Sequence, residues 1–159
     1  MPLTELPLGL PGRAFSSPMP FGFYDRDGEA LREFKENGVS VVVTLADDEE
    51  CFEKTNRNLR EVYLQEGLTC ISFPIPNYGV PNKLALRRAL DITLRHLRAG
   101  RSVAIHCSAG VGRTGLFGAC LAREVFGFSG EEAILWIRQF IPRAVESTQQ
   151  VELVKDECP

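Results

Sequence analysis

The sequence predicts an α/β protein built on a central, largely parallel sheet flanked by helices. Three β-branched runs of strand length carry that prediction, at residues 39–45, 69–75 and 102–107. The segments between them have helical character, and strands alternating with helices form parallel sheets. With 159 residues the chain suits a single domain, taken as 1–159, and 44% hydrophobic against 25% charged residues is ordinary for a folded soluble protein.

Taken in order, the first 20 or so residues are rich in proline and glycine and read as irregular structure over one edge of the sheet. Residues 28–37 read as a helix, with Asp27 as its N-cap and Gly38 as the left-handed residue that stops it. Strand 39–45 follows at once. Residues 46–66 are strongly charged and read as an acidic loop, then a helix through Leu59, Val62 and Tyr63. In 83–99, Leu86, Leu90, Leu94 and Leu97 recur at helical spacing between Asn82 and Gly100. Ser129 and Glu132 have capping-box spacing before the apolar stripe Ala133, Ile134, Ile137 and Ile141, which Pro142 ends. Ser147 and Gln150 have the same spacing for one last helix.

Charge and cysteine usage narrow the function classes. With 18 basic and 21 acidic residues the formal charge is -3, which offers no general field for nucleic acid or an anionic membrane. No run approaches the roughly 18 apolar residues of a membrane span, and Pro2, Pro7 and Pro11 interrupt the place of a secretory signal. A cytoplasmic protein is expected. Cys51, Cys70, Cys107, Cys120 and Cys158 are scattered, with neither a disulfide framework nor a Cys-x-x-Cys pair, and His96 and His106 are the only histidines. The expectation is a reduced protein without metal or cofactor; no pattern specifies an oligomeric state.

The chemistry concentrates in residues 106–115, His-Cys-Ser-Ala-Gly-Val-Gly-Arg-Thr-Gly, between the apolar strand and a helix containing Leu116, Phe117, Cys120 and Leu121. A strand-loop-helix unit of this kind cradles anions, because the first amides of the helix have no intrahelical partners and the helix dipole adds positive charge there. Gly110 and Gly112 are expected to supply the dihedrals that let amides of Ser108, Ala109, Gly110, Val111 and Gly112 converge. Cys107 enters beneath those amides, and Arg113 curls back with paired planar donors. Both favour thiolate over thiol and make Cys107 a nucleophile. Thr114 is placed to donate to the sulfur and His106 to brace the loop. A Walker-type nucleotide loop is excluded, since it needs lysine where Arg113 stands.

This segment resembles the His-Cys-x5-Arg-Thr signature loop of the cysteine-based protein-tyrosine and dual-specificity phosphatases, matching every defining position. The order of elements from about Leu8 to Val154 is similar to the small atypical dual-specificity branch. The resemblance implies a protein-tyrosine-phosphatase-like fold with the loop at the carboxyl edge of a central strand, and a phosphocysteine intermediate on Cys107. It also implies that Gln149 and Gln150 position the hydrolytic water.

One position departs from the family. Relatives carry an aspartate as proton donor in the segment after the preceding strand, and here Asn77 stands in its place within 73–81. An amide is no acid, and general acid-base catalysis is worth about 10²- to 10⁴-fold. Three readings follow: an Asp-to-Asn change in an active enzyme, an enzyme using another carboxylate, or a phosphate-binding, substrate-trapping form. Substitute acids are Asp47, Asp48 and Glu146; Tyr78 is a candidate to flank a substrate ring. Because Ser108, Ala109 and Val111 are neutral, with no lysine in the loop, the expected substrate is a phosphoprotein rather than an inositol polyphosphate, at a shallow site open to phosphotyrosine and phosphoserine or phosphothreonine. Cys51 or Cys70 is a candidate disulfide partner for oxidised Cys107.

Overall fold

The computed structural model describes residues 2–157. Five strands, β1 (Thr4–Leu6), β2 (Ala14–Ser17), β3 (Val39–Thr44), β4 (Thr69–Ser72) and β5 (Ser102–His106), form one sheet in the order β1-β2-β5-β3-β4. The β1–β2 pair is antiparallel and every other pair is parallel. The predicted strands are present, each ending one to three residues before its expected limit. The N-terminal expectation is corrected: residues expected to be irregular supply β1 and β2. These strands are only three and four residues long, too short for an alternating pattern to show, yet all four β2 residues are buried against β5.

Among the described residues, seven α-helices surround the sheet: α1 (Glu29–Glu36), α2 (Asp48–Thr55), α3 (Leu59–Gln65), α4 (Lys83–Arg98), α5 (Gly112–Phe126), α6 (Gly130–Arg138) and α7 (Thr148–Glu152), with a π-helical turn at Leu153–Glu157. The expected caps Asn82, Ser129 and Ser147 each accept an N3 amide, the last two as complete capping boxes. Asp27 does not cap α1. Gly28 takes that position in a left-handed conformation, and the Asp25 carboxylate accepts from the Ala30 amide at 3.0 Å instead.

The acidic stretch after β3 is likewise a helix rather than a loop. Asp47 caps α2, accepting the Glu50 amide at 2.7 Å, and Asp48, Glu49 and Glu50 put negative charge on its positive dipole end. Only Cys51 of α2 is fully buried, so there was no apolar stripe to reveal it.

Side-chain alternation divides the core into two layers. Val41 and Val43 of β3, with Val103 and Ile105 of β5, pack among Leu90, Leu94 and Leu97 of α4, Leu116, Phe117 and Leu121 of α5, and Ile137 of α6. Val42 and Ala104 pack on the other face with Phe34 of α1 and Tyr63 of α3. Central strand β5 is therefore covered on both sides, and the chain leaves it directly into the loop of interest. No helix among the described residues is long and apolar enough to cross a membrane.

Candidate active site

Beyond Ala104 the alternation sends His106 toward α3 and Cys107 toward α5. The fully buried His106 ring meets the Cys107 carbonyl through Nδ1 at 3.1 Å and the Tyr63 hydroxyl through Nε2 at 2.7 Å. A carbonyl only accepts, so Nδ1 carries the hydrogen and Tyr63 donates to Nε2. Burial lowers the His106 pKa to about 4 and keeps the ring neutral. This neutral brace fixes the backbone from which the Cys107 side chain departs.

Gly110 is the loop residue with positive φ, +79°, and a Cβ there would strike the Ser17 carbonyl at the end of β2. Gly112 serves a different purpose from the one expected. It has no positive φ; its missing Cβ leaves room for the Glu146 carboxylate. Val111 precedes α5 without a side-chain cap, so none of its own side-chain atoms competes for the first helical amides.

The Thr114 hydroxyl donates to Cys107 Sγ at 3.2 Å. Arg113, only 3% exposed, donates from Nη1 to Glu50 Oε1 and from Nη2 to Glu50 Oε2, both at 2.8 Å, and from Nη1 to the Ile75 carbonyl at 3.3 Å. The guanidinium holds the Glu50 carboxyl down at about 2. Lys54, one turn along α2, donates to Glu50 Oε2 at 2.8 Å and to the Ser108 hydroxyl at 3.0 Å. Sequence reading missed both Glu50 and Lys54. Their i,i+4 spacing was the available signal, and it means nothing until the segment is recognised as helix.

These groups surround a cavity of about 160 Å³. Cys107, Ser108, Ala109, Gly112 and Arg113 line it from the loop, with Lys54 from α2 and Asn77 and Tyr78 from the segment after β4. Glu146 lines it too, whereas Asp47 caps α2 and the exposed Asp48 pairs with Arg60 at 3.0 Å. Glu146 follows Val145, a buried β-branched residue at φ +60°, and Arg138 donates to the carbonyls of Ala144 and Val145 at 3.0 and 3.2 Å. A conformation unfavourable for valine thus presents this carboxylate to the loop.

Neither Gln150 nor Gln149 lines the cavity. Gln150 is fully buried, accepting the Glu146 amide at 3.1 Å and donating from Nε2 to the Gly79 carbonyl at 3.1 Å, so it ties the Glu146 turn to the Asn77 segment; Gln149 is exposed and lies off the cavity. Phe23 and Tyr24, from the segment after β2, complete the wall and were not anticipated. Cys51, Cys70 and Cys107 are free thiols. Burial pushes the Cys51 thiol up to about 12. Cys158 lies outside the described residues.

A thiol beneath a helix N-terminus, flanked by a buried guanidinium at the carboxyl edge of a parallel sheet, defines the class as cysteine-based phosphatases of dual-specificity type. Residues 24–125 match the family model described as "Polymorphic toxin system, DSP-PTPase phosphatase", and the chain belongs to that family. Among curated proteins it is 27% identical to human dual specificity protein phosphatase CDC14C, over 84% of this chain and 28% of that protein. It is 24% identical to Bos taurus protein tyrosine phosphatase domain-containing protein 1, over 79% of this chain and 17% of that one. The chain thus spans between about a sixth and a little over a quarter of these relatives' length. The structure of kinase associated phosphatase superimposes with a TM-score of 0.86 at 21% identity, covering 96% of this chain and 90% of that one. Tk-PTP in its active form gives 0.76 at 29% identity, covering 95% and 93%.

Proposed function

We propose that this chain is a phosphoprotein phosphatase acting through a phosphocysteine on Cys107, with Glu146 carrying the proton that Asn77 cannot. The observation that carries this reading is the meeting of Cys107, Arg113, Asn77 and Glu146 on one cavity of about 160 Å³.

In the first step the Cys107 thiolate attacks phosphorus, the bond from phosphorus to the substrate oxygen breaks, and that oxygen leaves with a proton from the Glu146 carboxylic acid. Arg113 offers N–H groups beyond those bound to Glu50, and with the loop amides it stabilises charge on the equatorial oxygens. The Thr114 hydroxyl stabilises the sulfur as nucleophile and again as leaving group. In the second step Glu146, now carboxylate, takes a proton from water as it attacks phosphorus; the sulfur–phosphorus bond breaks and inorganic phosphate departs. Every group needed is in the chain, so the scheme calls for no metal or cofactor.

Phe23, Tyr24 and Tyr78, 56%, 66% and 58% exposed, stand around the opening and suit the flat faces of a phosphotyrosine ring. Phosphoserine and phosphothreonine are expected to be slower substrates, because they lose those ring contacts. The test is steady-state hydrolysis of phosphotyrosine and phosphoserine peptides with Cys107→Ser beside the parent. Turnover by the parent and none by the variant is expected; equal turnover by both with metal chelated would defeat the reading.

A further inference from the structure

The sequence suggested a phosphate pocket without additional cations, but α2 supplies one. Lys54 Nζ donates to Ser108 Oγ at 3.0 Å, so an ammonium sits one residue beyond the nucleophile on the cavity wall. Lys54 and Arg113 share a single carboxylate, Glu50, which leaves the trio with a net positive charge.

Two arginines stand on rings of the segment after β2, which reaches the cavity through Phe23 and Tyr24. Arg57, just beyond α2, stacks over the Phe21 ring at 4.1 Å, and Arg26 stands over the Phe23 ring at 5.6 Å. Neither forms an ion pair with another described residue. The Phe21 ring that holds Arg57 is itself fixed. Phe21 has φ +64° and its ring fills the space where Gly28 lacks a Cβ, while the Met19 amide at the start of this segment donates to the Ser108 carbonyl at 2.9 Å. The Lys54 side chain and the aromatic segment are thus both anchored on Ser108. On a chain of formal charge -3, one cation on the cavity wall and two on the adjoining aromatic segment are a local concentration of positive charge.

We propose that Lys54, Arg57 and Arg26 recognise a second anionic side chain, a carboxylate or another phosphoryl group, next to the phosphorylated residue of a peptide substrate. This inference rests on the phosphatase reading above and names its substrate class. Planar arginines held on rings retain their donors for a carboxylate or phosphoryl group, and a dianion gains most from closely spaced cations.

The test measures peptide affinity with Cys107→Ser, which reports binding independently of turnover. Three phosphotyrosine peptides differ only in the adjacent residue, which is alanine, glutamate or phosphoserine. The glutamate and phosphoserine peptides should bind about 10-fold or more tightly than the alanine peptide, the worth of one charge-assisted hydrogen bond. The phosphoserine peptide should lead. In Lys54→Met, and in Arg26→Ala combined with Arg57→Ala, the affinity ratio should move toward one. Equal binding of all three peptides overturns the inference while the parent enzyme's turnover of the alanine peptide leaves the phosphatase reading standing. A preference that survives in both variants overturns the assignment to these residues. If no peptide binds and none is hydrolysed by the parent, the phosphatase reading falls and this inference falls with it.

Discussion

Arg113 meets Glu50 through two parallel hydrogen bonds of 2.8 Å, so the guanidinium proposed to bind phosphate is oriented by a residue 63 positions earlier in the chain. A freely rotating arginine would have to be ordered by each incoming substrate, whereas this one is held in advance.

Glu50→Gln should therefore lower kcat/KM on the order of 10²-fold, the scale of a misplaced reacting group. Breaking a largely buried ion pair from one side should also lower the thermal midpoint. Kinetics and thermal unfolding measured on the same preparation separate the two effects. An unchanged kcat/KM in a folded variant would contradict the orienting role.

Acid should weaken the fold in two windows. His106 titrates near 4 when folded against an ordinary value of about 6.5, so the unfolded chain takes up that proton first. Its contribution to stability is complete above about 6.5 and is lost as pH falls toward 4. Glu50, lowered from 4.5 to about 2, holds its contribution above 4.5 and loses it as pH falls toward 2. Thermal midpoints from pH 7 to 3 should decline through both windows, with His106→Asn flattening the upper one and Glu50→Gln the lower. A midpoint independent of pH between 6.5 and 4 would contradict the account of His106.

Proton donation from Glu146 predicts a leaving-group signature. In Glu146→Gln, hydrolysis of phosphopeptides should fall by about 10²- to 10⁴-fold while nitrophenyl phosphate, whose leaving group needs little protonation, suffers far less. Asn77→Asp in that background should restore the peptides preferentially. The measurement is kcat against leaving-group pKa for the parent and the variants; the same slope in all of them would contradict any proton donor at these positions.

Mild peroxide should modify Cys107 before Cys51. Both residues are buried, but Cys107 lies in the loop cavity with its sulfur accepting from Thr114, whereas burial pushes the Cys51 thiol up to about 12. Peptide mass spectrometry after brief oxidation reads the order directly, and Cys51 reacting first would contradict the burial argument.

The loop and the main helices were legible because their signals are local. His106 to Gly115 is contiguous, and the leucines of α4 repeat along one helix face. What stayed hidden depends on distant partners. β2 is only Ala-Phe-Ser-Ser and becomes a strand by pairing with β5, some 89 residues later. The Glu50 carboxylate acquires meaning only once α2 is folded against the loop, and Gly112 looked like a flexible turn until Glu146 was found against it. Gln150, which family resemblance associates with the hydrolytic water, has both ends of its amide engaged in joining two loops, a contact that only the folded chain reveals.

The central claim is a covalent phosphoryl group on Cys107. Rapid acid quenching during turnover of a phosphotyrosine peptide, followed by mass spectrometry of the peptide containing Cys107, tests it most directly. The account predicts a transient phosphoryl adduct on that cysteine during turnover by the parent, and none in Cys107→Ser. Steady peptide hydrolysis by the parent with no adduct on Cys107 at any quench time would contradict it.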